Sequence, residues 1–98
     1  MKMYELFKQP NSWIRGDYAK TSLRGVPINP KHSKAKCFCL DGAIDHCYSG
    51  KQRLKVKHKL NKYITDNFPK FFYIEQFNDG YRKLTRVKVQ ELCQLLRI

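Results

Sequence analysis

Apolar residues in the C-terminal part of this chain recur at helical spacing. Val89, Leu92, Cys93 and Leu96 stand at i, i+3, i+4 and i+7 and so share one face of a helix. Thr85 precedes that face with the hydroxyl an N-cap needs to accept an orphan amide hydrogen bond. A second stripe, Val56, Leu60, Tyr63 and Ile64, is about 100° wide and predicts a helix from about residue 53 to 66. Its first residues, RLKVKHKL, also alternate at period two as an exposed strand does, but the apolar stripe favours the helix. Leu40, Ala43, Ile44, Cys47 and Tyr48 form a third face and predict a short buried helix that stops near Gly50.

Between these faces the punctuation is strong. Asp66, Asn67 and Pro69 end the second helix, FFYIEQF follows as a short core helix or strand, and Asn78, Asp79 and Gly80 mark a turn. Residues 18–40 hold Pro27, Pro30, Gly25, Ser22 and Ser33 and read as turns with short extended pieces. No repeat of 20–50 residues is visible. The expectation is an α+β, mainly helical single domain over 1–98, with about three to four helices and short extended pieces in the N-terminal third. Such a chain buries somewhat over ~60% of its unfolded surface in one core.

Composition changes this picture chiefly through charge. Twenty Lys and Arg against eight Asp and Glu give +12, a surplus that costs stability by self-repulsion and suggests an anionic partner. The charge is uneven, for no acid occurs from Tyr18 to Leu40 or from His46 to Thr65. The second stretch carries Lys51, Arg53, Lys55, Lys57, Lys59 and Lys62. With the stripe facing inward, Lys55, Lys59 and Lys62 form one outward row. Lys51, Arg53, Lys55, Lys59 and Lys62 are the candidate contact residues, with Lys31, Lys34 and Lys36 as a second patch. No apolar run approaches the ~20 residues of a membrane-spanning helix. Glu5, Lys8 and Gln9 interrupt the N-terminal apolar residues, against the pattern of a signal peptide, so a cytoplasmic, reducing setting with free thiols is expected.

Several short motifs recur in series. Trp13-x-x-Gly16 precedes Cys39-x-x-Gly42-Ala43, then Asn78-Asp79, then Thr85 and its helix. In that order they resemble a family of small uncharacterised bacterial and phage proteins whose patterns run W-x-x-G, W-C-x-x-G-A and W-N-D. Phe38 and Phe77 stand where that family has Trp. The resemblance spans residues 13–96 and implies a compact, mainly helical domain, with no reaction attached. Trp13, Gly16, Cys39, Gly42, Ala43, Asn78, Asp79 and Thr85 are therefore expected to be scaffold. Gly42 and Ala43 permit close packing, and Asn78 and Asp79 fasten the turn before the last helix.

Catalytic and metal chemistry find little footing. His32, Cys37, Cys39, His46 and Cys47 fall close together, but C-x-C is not the spacing of structural zinc, and no metal or other cofactor is expected. Cys39, Cys47 and Cys93 read as buried free thiols, while Cys37 beside Lys36 is the one candidate for an exposed nucleophile. No carboxylate pair and no Gly-rich phosphate loop occurs. A non-enzymatic binding protein for an anionic macromolecule is expected: a nucleic acid, a nucleoprotein complex or an acidic protein surface. Tyr18, Tyr48, Tyr81 and Trp13 could add stacking to a nucleic acid. With the resemblance, the narrowest form is a phage-encoded inhibitor of a host nucleic-acid-dependent defence system of the anti-CRISPR type. The alternatives are a binder of a small anionic nucleotide and a non-specific RNA- or DNA-binding protein.

Overall fold

The Thr85 hydroxyl accepts the amide of Lys88 at 3.2 Å and opens the last helix where the sequence asks for it. In the computed structural model, which describes residues 1–98, the elements run α1 (Met3–Leu6), β1 (Ala19–Lys20), β2 (Cys37–Phe38), α2 (Leu40–Cys47), α3 (Gly50–Asn67), α4 (Ile74–Gly80) and α5 (Arg86–Leu96). The class is mainly helical α+β, as expected, with the strands short and N-terminal. No helix is long and apolar enough to cross a membrane.

The predicted stripes supply the core. Leu40, Ala43 and Ile44 of α2, Val56, Leu60 and Ile64 of α3, and Val89, Leu92 and Cys93 of α5 are buried in one cluster of 20 residues. Phe38 and Phe77 are both fully buried, so an aromatic fills each of these core positions. Phe68 lies 4.9 Å from Phe77 and 5.0 Å from Tyr81, and the rings of Phe77 and Tyr81 stack at 5.3 Å. β1 and β2 pair antiparallel with Ala19 opposite Phe38 and Lys20 opposite Cys37. Tyr48 joins the chain ends, accepting the Met3 amide at 3.2 Å and donating to the Ile98 carbonyl at 2.8 Å.

Three expectations are corrected. Gly50 does not stop α2, which ends at Cys47 with Tyr48 extended; Gly50 begins α3 with φ +55, a conformation glycine adopts at little cost. The α3 helix therefore starts about one turn before residue 53. Asn78, Asp79 and Gly80 are the last turn of α4 rather than a separate turn. In FFYIEQF, only Ile74 and Phe77 are fully buried. Phe72 and Tyr73 precede α4 and are 70% and 55% exposed.

Candidate functional site

The α3 helix presents three sides. Val56, Leu60 and Ile64 face the core with Tyr63 half-buried beside them. Arg53 and Lys57 lie on the flank next to α2, where Arg53 Nε donates to Asp45 and Lys57 Nζ stands 3.5 Å from Asp41. Lys51, Lys55, Lys59 and Lys62 occupy the outward side and are all exposed. Lys62 donates to Asp66 at 2.8 Å, which raises its pKa. Lys51, Lys55 and Lys59 enter no ion pair, since the three ion pairs of the protein involve Arg53, Lys57 and Lys62. The expected row of Lys55, Lys59 and Lys62 lies on the outward side, with Lys51 beside it. Of the candidate contact residues Arg53 stands apart, because an Asp45 carboxylate one helix away neutralises it on the inward flank.

Lys31, Lys34 and Lys36 are exposed on the loop between β1 and β2. The loop is tied down by its own side chains and by β1. Asn29 Oδ1 accepts the Lys31 amide at 2.9 Å, His32 Nδ1 accepts the Lys34 amide at 3.0 Å, and Lys36 N donates to Lys20 O at 3.0 Å. His46 Nδ1 donates to the Pro30 carbonyl at 2.7 Å and anchors the loop to α2. Lys36 borders a shallow groove with Arg24, Pro10 and Asn11.

The motif residues converge on Asn78. Its Oδ1 accepts Trp13 Nε1 at 2.7 Å and the Leu40 amide at 3.0 Å, while its Nδ2 donates to Ile14 O at 3.1 Å and to Asp79 Oδ1 at 2.9 Å. Asp79 Oδ1 also accepts the Gly16 amide at 3.1 Å. Arg15 lies over the Trp13 ring and donates to the carbonyls of Asn78, Tyr81 and Leu84. Cys39 caps α2 by accepting the Gly42 amide at 3.2 Å. A Cβ on Gly42 would lie 1.8 Å from the Tyr18 carbonyl oxygen, so only glycine fits there, and Ala43 beside it is fully buried. Asn78 and Asp79 thus bind the N-terminal segment to α2 and α4 instead of fastening the turn before α5. Arg15 is what holds that turn.

The cysteines are inward. Cys37 is fully buried rather than exposed, and burial raises its thiol pKa, so it is no longer a candidate nucleophile. Burial pushes Cys39 up to about 11 and Cys93 up to about 12. Cys47 is half-buried rather than buried, and it too is pushed up to about 11 by desolvation. His32, Cys37, Cys39, His46 and Cys47 do not assemble, and no three His, Cys, Asp or Glu residues are grouped to hold a metal.

Of the aromatics expected to stack, Tyr48 is buried, Trp13 and Tyr81 are half-buried, and Tyr18 shares a narrow crevice with Asp17, Glu75 and Asp79. Glu75 and then Asp41 raise the Tyr18 pKa, marking a locally negative field that repels phosphate. The exposed aromatic beside α3 is instead Tyr73. It lines a groove of about 510 Å³ with Leu54, Lys57, His58 and Asn61 of α3 and with Asp41 and Glu75. The density of aromatics in FFYIEQF masked this. The signal that could have exposed it is the start of helical spacing at Ile74, which leaves Phe72 and Tyr73 ahead of the buried face.

No protein-family model, curated protein or solved structure matches the chain.

Proposed function

We propose that this protein binds an anionic macromolecule, the phosphate backbone of a nucleic acid, on the outward side of α3. The reading is carried by Lys51, Lys55 and Lys59, three exposed lysines at successive i, i+4 spacings with no acidic partner. Like charges so spaced destabilise a helix by a few tenths of a kcal/mol per pair. A row of phosphates removes that repulsion and releases counterions. The fold neutralises Arg53 and Lys57 from α2 and leaves these three open, which supports a role outside the fold. Binding, not catalysis, is the activity proposed.

In its narrowest form the protein is a phage-encoded inhibitor of a host nucleic-acid-dependent defence system acting in the host cytoplasm. The resemblance to small phage proteins and the small, basic build support that form. One observation favours a second reading, capture of a small anionic nucleotide: Lys70 and Arg82 border a concavity of about 430 Å³ with Phe68, Phe71 and Tyr81. The C-terminal ends of α3 and α4, Asn67 and Gly80, also line it, and their carbonyl dipoles oppose an anion. The α3 row has no such opposition and is preferred.

The test is a salt titration of binding to a duplex oligonucleotide. Replacing Lys51, Lys55 and Lys59 together by Glu should lower the slope of log affinity on log salt by about 0.9 per lost contact, with the melting temperature nearly unchanged. Unchanged affinity and slope in the triple variant would overturn the reading.

A further inference from the structure

We propose that the groove between α2, α3 and α4 receives an unstacked base, so that the nucleic acid bound by the lysine row is single-stranded. The inference rests on the phosphate-binding reading and names its substrate class. The groove and the row share an edge. Leu54 stands three residues after Lys51, and His58 stands three after Lys55 and four before Lys62, which makes them neighbours on the helix surface. Leu54, 61% exposed, and Tyr73, 55% exposed, offer an apolar side chain and a ring to a base entering from that edge.

The polar groups of the groove suit a base and not a phosphate. Asp41 is paired with Lys57, but Glu75 enters no ion pair, and its carboxylate repels phosphate while accepting a hydrogen bond from an exocyclic amine such as that of cytosine. Asn61 supplies both a donor and an acceptor to a base edge. The unpaired lysines thus lie along the outer row, while inside the groove Lys57 is answered by Asp41 and Glu75 keeps its charge, as a strand with its backbone outside and a base turned inward requires. The volume, about 510 Å³, lies within the range of small-ligand sites. A base in a duplex is stacked and paired and cannot enter such a groove. Only a single strand fills both the row and the groove.

The experiment compares a single-stranded oligonucleotide of mixed sequence with the duplex of the same sequence, using wild type, Tyr73→Ala and Tyr73→Phe. The single strand should bind more tightly than the duplex. Tyr73→Ala should weaken single-strand binding by roughly 5- to 150-fold, the range lost when a stacking aromatic becomes alanine. It should leave duplex affinity and the salt slope alone, and Tyr73→Phe should bind as wild type does. Ultraviolet crosslinking of the wild-type protein to a 4-thiouridine oligonucleotide supplies a measurement independent of any variant's folding, and should mark the peptide containing Tyr73. Equal binding of single strand and duplex, an unaffected Tyr73→Ala, or crosslinks confined to other peptides overturns the base cleft while leaving the lysine row intact. Loss of the row itself is recognised separately, by a Lys51, Lys55 and Lys59 variant that keeps its salt slope.

Discussion

The amide of Asn78 and the ammonium groups of Lys51, Lys55 and Lys59 are all strongly polar, and the fold treats them in opposite ways. Asn78 is fully buried, and both lone pairs and both hydrogens of its side chain are engaged, by Trp13, Leu40, Ile14 and Asp79. The three lysines are exposed and meet no carboxylate. A polar group whose bonding capacity is filled from within holds the structure together, whereas one left open is available to a partner. The contrast also separates two kinds of cation on one helix, since Arg53 and Lys57 are answered by Asp45 and Asp41.

The largest effect expected of this contrast is at Asn78. Asn78→Ala leaves the Leu40 amide, the Ile14 carbonyl and the Trp13 indole without their partner, and at about 1–3 kcal/mol for each buried group left unmade the loss should be about 3 kcal/mol or more by urea denaturation. A change below about 1 kcal/mol would mean that water replaces the amide and that the knot is not structural.

Cys93 sharpens the buried side of the comparison. Its thiol, ordinarily near 9.0, is pushed up to about 12 by burial, so above pH 9 the unfolded chain gives up a proton that the native chain retains. Stability from this group is fully present below pH 9 and is lost as pH rises from 9 towards 12, by at most about 1.4 kcal/mol per pH unit. Urea midpoints measured from pH 8 to 11 should fall less steeply for Cys93→Ala than for wild type. Parallel slopes would show that the thiol ionises as readily folded as unfolded.

Thr85→Ala removes one exposed cap and should cost about 1 kcal/mol in thermal unfolding, with no effect on nucleic-acid affinity. Smallest of all is the stability change for Lys51, Lys55 and Lys59 replaced by Gln, expected within about 0.5 kcal/mol of wild type while affinity falls. Destabilisation well beyond that would place these lysines with Asn78 on the internal side of the comparison.

The sequence made legible whatever rests on local periodicity. The inner faces of α2, α3 and α5 and the Thr85 cap are patterns within a dozen residues, and each stands where the spacing puts it. The outward lysines followed from the same geometry. Pairing across the fold was not legible: Arg53 resembles its neighbours in sequence, and only the packing of α2 beside α3 brings Asp45 to it. Asn78-Asp79-Gly80 has the composition of a turn, yet Asn78 reaches a segment more than sixty residues earlier, and no local rule specifies those partners. In the aromatic run that leads into α4, the density of rings hid the helical spacing that begins at Ile74, so the buried Phe77 and the exposed Tyr73 were not separated.

The knot at Asn78 also bears on how quickly the chain reaches its native state. Helices α2 and α3 can form early from neighbouring residues, but the bonds from Trp13, Arg15 and Gly16 to residues 78–84 close a loop of more than sixty residues. The entropy of that closure is met before any of those bonds forms, and it grows with loop length. Folding is therefore slower than the helical content alone suggests. Because that closure belongs to the barrier, weakening the knot at Asn78 slows folding as well as lowering stability.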